Sequence, residues 1–197
     1  MFIKKSLHPL LPKQYNFGKR RDSFRKTLSL LKDRDAKTLV ETGSARYGLD
    51  QTKSDGASTL VFGAWAHQND ATLYSIDYDT QALAMAKKAA LSLEIHDSIE
   101  FINAESTAYL GNFSQSIDFL YLDSFDYDKK DPQEQKKSQE HHLWEFRSAQ
   151  NQLHDDSLVL IDDCKLKGGG KGRMVIDLMK QRGWKVVYNG YQVLLSK

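Results

Sequence analysis

The sequence predicts an α/β domain with a mostly parallel sheet, helices between the strands, and an antiparallel pair at the C-terminal end. Three observations carry this expectation. From Lys37 onward, short apolar runs alternate with stretches of helical character. Such alternation implies crossover units and parallel strands. Asn189-Gly190 separates two apolar runs, which is a hairpin signal. The 197 residues, 40% of them hydrophobic, are enough for one domain with a substantial core.

Residues 1–36 are expected to form a basic N-terminal helical extension, marked by Lys19-Arg20-Arg21 and Arg25-Lys26. Asp22 or Ser23 is its expected cap, ahead of Phe24, Leu28, Leu30 and Leu31. Residues 37–197 form the main domain, on which the extension packs. Strands are predicted at 38–42, 72–77, 99–103, 117–123, 157–162, 184–188 and 191–196. Helices are predicted at 58–68, 80–93, 131–153 and 174–182. The first of these puts Leu60, Val61, Ala64 and Trp65 on one face. No internal repeat or low-complexity segment interrupts the pattern.

Composition narrows the function classes. The 28 basic and 26 acidic residues leave a net charge of +2. This is no general case for nucleic-acid binding. Cys164 is the single cysteine, so no disulfide forms within the chain. The N-terminus is too broken by Lys4, Lys5, His8 and Pro9 for a signal-peptide core. No apolar run approaches the roughly 18 residues of a membrane span. A cytoplasmic protein is expected.

In open α/β sheets, ligands bind outside the carboxyl ends of the strands, where the strand order reverses. The strand-end residues are Glu41-Thr42-Gly43-Ser44, Asp77, Asn103-Ala104-Glu105, Asp123 and Asp162-Asp163. Many are acidic. Like charges at one rim require a cation, a proton or hydroxyl-bearing ligands. Gly43 lets backbone approach a ligand closely, but Ala45 breaks the dinucleotide pattern G-x-G-x-x-G. Asp77 ends its strand where a carboxylate can accept both hydroxyls of a ribose. The alternative role of any one of these aspartates is a helix cap.

These segments carry a resemblance. Val40-Glu41-Thr42-Gly43-Ser44 resembles the first motif of class I methyltransferases dependent on S-adenosylmethionine (SAM). The segment 73–77 resembles the strand ending in the ribose-binding acid, 101–105 the segment beside the adenine, and 118–123 the fourth motif. The sequence is most similar to a small O-methyltransferase-like subgroup. That subgroup has Asp-Gly-x-Ser-Thr after the first motif, paired aspartates after the fifth strand, then Gly-Lys-Gly and Gly-Tyr-Gln. The counterparts here are 55–59, Asp162-Asp163, Gly170-Lys171-Gly172 and Gly190-Tyr191-Gln192. The resemblance implies a Rossmann-like seven-stranded sheet with a C-terminal antiparallel hairpin. It implies that Glu41, Gly43 and Ser44 meet the amino-acid part of SAM, Asp77 the ribose, and Ala104 and Glu105 the adenine. Ser58 and Thr59 would open a helix near the SAM carboxylate, and Asp123 would border the cofactor. It further implies metal-assisted O-methylation of a small hydroxylated acceptor, acidic or sugar-like.

Asp123, Asp162 and Asp163 form the candidate metal set. Three carboxylates without cysteine suit a hard cation such as Mg²⁺, which would acidify and orient an acceptor hydroxyl. The alternative is a hydrogen-bonded loop network with no metal. Asp123, Asp126 and His142 are the candidate catalytic groups; of the pair His141-His142, one is expected to face the site. The Lys165–Arg173 segment fails the P-loop pattern and is read as a flexible loop whose cations attract an acidic acceptor. Two further readings stand beside the enzyme: a SAM- or nucleotide-binding regulatory module without methyl transfer, and a nucleic-acid methyltransferase suggested by the basic extension and loop. The extension either closes over the site or pairs subunits in a homodimer.

Overall fold

The computed structural model describes Leu11 and residues 13–197. Seven strands form one sheet: β1 (Thr38–Thr42), β2 (Thr72–Asp77), β3 (Ile99–Asn103), β4 (Ile117–Leu122), β5 (Leu153–Ile161), β6 (Lys185–Asn189) and β7 (Val193–Ser196). Their order is β3-β2-β1-β4-β5-β7-β6. The first five are parallel, and β7 runs antiparallel to both β5 and β6. The helices are α1 (Arg21–Asp33), α2 (Ser58–Gln68), α3 (Thr80–Ser92), α4 (Ser106–Gly111), α5 (Pro132–Ala149) and α6 (Arg173–Gln181).

Apolar alternation in the central strands builds two core layers. Along β4, Phe119 and Tyr121 face one side with Phe24, Leu28 and Leu31 of α1 and Phe62 of α2. Leu120 and Leu122 face the other with Phe146 of α5 and Val175 and Met179 of α6. A strand covered on both faces reads as a continuous apolar run, as Phe119–Leu122 does. The extension helix α1 therefore belongs to the same core as the sheet. After β3 the chain returns to the other side of β1, so the order reverses between β1 and β4. The crevice past their carboxyl ends is the expected ligand position.

Several boundaries depart from expectation. Helix α1 begins at Arg21, ahead of both proposed caps, and Ser23 Oγ donates to Arg20 O at 2.9 Å. Helix α5 ends at Ala149 and β5 begins at Leu153. The Ser157 hydroxyl accepts from the His154 amide at 2.8 Å, and His154 Nε2 meets Asp118 Oδ1 at 2.9 Å, anchoring the polar start of β5. Asn189 ends β6, and a three-residue link, 190–192, reaches β7. The link is longer than a two-residue type I′ turn; in it the Tyr191 hydroxyl donates to Asp163 and Gln192 Nε2 donates to Tyr121 OH. Short α4 escapes the periodicity argument because its six residues span fewer than two turns. No helix among the described residues is long and apolar enough to cross a membrane.

Candidate functional site

Gly43 sets the geometry where β1 ends. Its φ is +85°, and a Cβ there would lie 2.7 Å from Asp123 O. Only glycine lets the exits of β1 and β4 touch this closely. Past Gly43, the Ser44 amide donates to Asp77 Oδ2 at 2.8 Å, and the Asp79 amide donates to Asp77 Oδ1 at 2.9 Å. Asp77 is thus clamped at the end of β2, while each oxygen keeps a second acceptor position. Asp79 caps α3 through the Gln81 and Ala82 amides.

A cavity of about 510 Å³ opens over these ends. Gly43, Ser44, Ser58, Asp77, Glu105, Asp123 and Asp126 all line it, together with Arg46 and His141. Ala104 instead borders an adjoining recess of about 70 Å³ walled by Ile76 and Phe125. Glu105 also caps α4, accepting from the Thr107 and Ala108 amides at 3.0 and 2.8 Å.

Three expected residues lie beneath the cavity wall. Thr59 is buried, and its hydroxyl accepts from the Ala45 amide at 2.8 Å. Glu41 is fully buried and accepts from Ser75 Oγ at 2.6 Å. Burial pushes its carboxyl up to about 7, against the lowering effect of the Ser75, Thr59 and Ser58 hydroxyls. It supports the β1 end from below and does not reach the space above. The folded state therefore binds this proton more tightly than the unfolded chain, and stability falls as pH rises from about 4.5 to about 7. Glu41→Gln should flatten that slope, an effect of up to ~3 kcal/mol. Urea unfolding at pH 5 and pH 8 measures it; equal slopes in both proteins would remove the argument.

His142 is the third. It is fully buried, with Nδ1 at 2.6 Å from Ser138 O. Burial lowers its pKa to about 4, although Glu145 pulls it upward. His142 is therefore corrected to an interior residue, and His141 is the histidine at the cavity. His141 Nε2 lies 3.2 Å from Ser106 Oγ and 3.3 Å from Glu145 Oε1. Burial disfavours its cation, but Glu145 and Glu105 outweigh this and raise its pKa. Asp126 lines the cavity but holds Arg46 through both oxygens at 2.9 and 3.1 Å. Arg46 lowers its pKa, which makes Asp126 a poor proton acceptor.

The aspartate trio is gathered as expected, but its oxygens are already engaged. Asp162 Oδ2 takes Arg20 Nε at 2.7 Å and Tyr121 OH at 3.0 Å, and Oδ1 takes the Asp163 amide at 2.7 Å. Asp123 Oδ1 takes Lys171 Nζ at 2.5 Å, and Oδ2 lies 3.3 Å from the Tyr121 hydroxyl, whose single proton it shares with Asp162. Asp163 Oδ1 accepts from Tyr191 OH, and Oδ2 lies 3.5 Å from Lys171 Nζ. Among the described residues, no cluster of His, Cys, Asp or Glu has the arrangement of a metal site. The donor set does not fit Mg²⁺, because a guanidinium and an ammonium occupy the places a cation would take. Asp123, Asp162 and Asp163 form an ion-paired, hydrogen-bonded network, the alternative to the metal site.

Lys171 also corrects the reading of its loop. The residue is buried, and Gln139 Nε2 donates to Gly168 O and Gly170 O at 3.2 and 3.1 Å, pinning the segment. Tyr127 OH donates to Lys167 O at 2.5 Å. One carboxylate more than the cations leaves excess negative charge in the trio. Burial raises the Asp123 pKa, with Asp162 and Asp163 adding to it and Lys171 opposing it.

The family model for a methyltransferase domain matches residues 54–164, more than half of the chain. The chain belongs to this methyltransferase family. No curated protein matches it. Among solved structures, it is similar to a candidate caffeoyl-CoA O-methyltransferase from Staphylococcus aureus (14% identity, 99% of this chain and 90% of that one, TM-score 0.65). It is also similar to a methyltransferase from Podospora anserina solved with S-adenosylhomocysteine (14%, 88% and 77%, 0.61), and to an rRNA methylase from Streptococcus thermophilus (14%, 88% and 95%, 0.56). At these identities the likeness establishes the fold alone.

Sequence reasoning missed Arg20, Arg46 and Tyr121. It also misplaced Lys171, whose flanking glycines in Gly170-Lys171-Gly172 were the available signal. Arg20 and Lys171, the two cations on the trio, both lie outside the span that the family model matches.

Proposed function

We propose that this methyltransferase domain binds SAM in the 510 Å³ cavity and O-methylates a small hydroxylated acceptor, with Asp123 receiving the hydroxyl proton. The observation that carries the reading is that Asp77 and Asp123 line one cavity, on either side of the strand-order reversal. The volume suits a small-molecule site of about 300–1,000 Å³. Asp77, fixed by two amides, offers two acceptors to the ribose hydroxyls. Ile76, Ala104 and Phe125 offer the adenine an apolar recess. Ser58 at the start of α2 lies where helix amides favour a carboxylate.

Bound SAM supplies a methyl group on a sulfonium sulfur, already activated as a leaving group. Asp123 would take the proton of the acceptor hydroxyl, so that the acceptor oxygen could accept the methyl group SAM would supply. The protein's contribution is alignment of the two reactants and removal of one proton. Burial of Lys171 weakens the nucleic-acid reading, since the basic loop has lost this cation to the interior.

Calorimetric titration of SAM tests the pocket. Asp77→Ala should weaken SAM binding about 100-fold, the loss of two hydrogen bonds to an ionised group. Unchanged affinity would overturn the assignment.

A further inference from the structure

We propose that Lys171 and Arg20 take the place of a divalent cation, so that the site works without metal and Lys171 positions Asp123. The catalytic part rests on the proposed methyl transfer; the cation-binding part does not.

The geometry is that of a built-in counter-ion. Lys171 Nζ lies between two of the three carboxylates, at 2.5 Å from Asp123 and 3.5 Å from Asp163. Arg20 Nε meets Asp162 at 2.7 Å, and Nη2 lies 3.6 Å from Asp163. Both cations are buried. Tyr121 OH bridges Asp162 and Asp123, and Gln192 Nε2 donates to that oxygen at 3.0 Å. The backbone is shaped to deliver Lys171. Gly170 has φ +58°, and a Cβ there would lie 1.7 Å from Asp163 O. Any other residue at 170 would push the lysine away from the aspartates. On the Arg20 side, Gly56 (φ +93°) leaves room for the arginine stem, 2.8 Å from where its Cβ would be. Two separate segments, each with a glycine making room, thus bring one cation apiece to the strand ends.

Mg²⁺ needs oxygens at about 2.0–2.1 Å in near-octahedral array. Here Lys171 holds Asp123, Arg20 holds Asp162, and the two aspartates share the single proton of Tyr121 OH. A fixed ammonium also restricts Asp123 without requiring a metal to be acquired. Lys171 does not line the cavity that Asp123 borders, so it is a positioning residue that acts through Asp123.

Mn²⁺ titration of the full chain, read by electron paramagnetic resonance, is the first arm. Wild type should leave Mn²⁺ free at millimolar concentration. Lys171→Ala, which removes the ammonium and leaves space among three carboxylates, should bind it. Lys171→Met, similar in length and uncharged, serves where the alanine variant fails to fold. The second arm is turnover: chelator should leave wild-type kcat unchanged. Lys171→Met should lower kcat about 10–100-fold, in the range of other positioning residues, with KM for SAM unaltered. Mn²⁺ bound by wild type and released in Asp162→Asn would overturn the proposal, as would chelator-sensitive turnover. If wild type neither binds Mn²⁺ nor turns over any acceptor while Lys171→Ala gains Mn²⁺, the internal cation stands and the methyl-transfer reading falls.

Discussion

Arg20→Ala should destabilise the protein by about 3–5 kcal/mol, the range for removing one partner of a buried ion pair. The reason is Asp162, which is fully buried and whose carboxylate Arg20 keeps ionised. Burial alone would raise the Asp162 pKa, but Arg20 and Lys171 reverse this. Without the guanidinium, Asp162 must either stay charged in the interior or take up a proton, and both are costly. Arg20 also donates to Ser54 O at 3.0 Å, and so ties the entry of α1 to the loop before α2. Urea unfolding gives the cost directly. The double variant Arg20→Ala/Asp162→Asn should recover part of it, because no buried charge then lacks a partner. A single-variant cost below about 1 kcal/mol would mean that the pair behaves as a solvated surface bridge.

What the sequence makes legible follows from range. Asp77 and Asp123 can be read because each ends an apolar run, and the fold places such ends around one crevice. Their places at the cavity depend only on local pattern plus topology. The failure at His142 had a local remedy: Ser138, His142, Glu145, Phe146 and Ala149 are all buried, a stripe at i, i+4, i+7, i+8 and i+11. That spacing marks the inner face of a helix. His141, one step or about 100° away, then points elsewhere. The polar character of Ser138, His142 and Glu145 hides the stripe from any count of apolar residues. Arg20 and Lys171 are illegible for a different reason. Arg20 lies 142 positions from Asp162 and Lys171 48 from Asp123. Nothing in the run Lys19-Arg20-Arg21 singles out the arginine that reaches Asp162, and the glycines flanking Lys171 mark a tight backbone without naming its partner. An acidic cluster in a sequence thus states that a counter-charge exists, but not whether the chain supplies it.

Asp123→Asn should lower kcat about 10²–10⁴-fold, the range for removing a general base, equivalent to about 3–5 kcal/mol of transition-state stabilisation. Asparagine keeps the shape, and its carbonyl can still accept from Lys171 Nζ, so folding and SAM affinity should be nearly unchanged. Burial, with Asp162 and Asp163 adding to it and Lys171 opposing it, pushes the Asp123 pKa upward, and Asp123 lines the cavity where Asp162 does not. Asp126→Asn provides the contrast. Its carboxylate is held by Arg46 at 2.9 and 3.1 Å and stays ionised, so its loss should cost kcat less than about tenfold and change KM for the acceptor more, the signature of lost ground-state binding. Equal losses at the two positions would place the base elsewhere, with His141 next in line at the cavity wall. SAM bound with full affinity by wild type and Asp123→Asn alike, with no turnover by either on any hydroxylated acceptor, would favour a cofactor-binding module over an enzyme. Those two results differ in a single titration and a single rate, because the proposed base, Asp123, and the proposed ribose acceptor, Asp77, are separate groups on different strand ends.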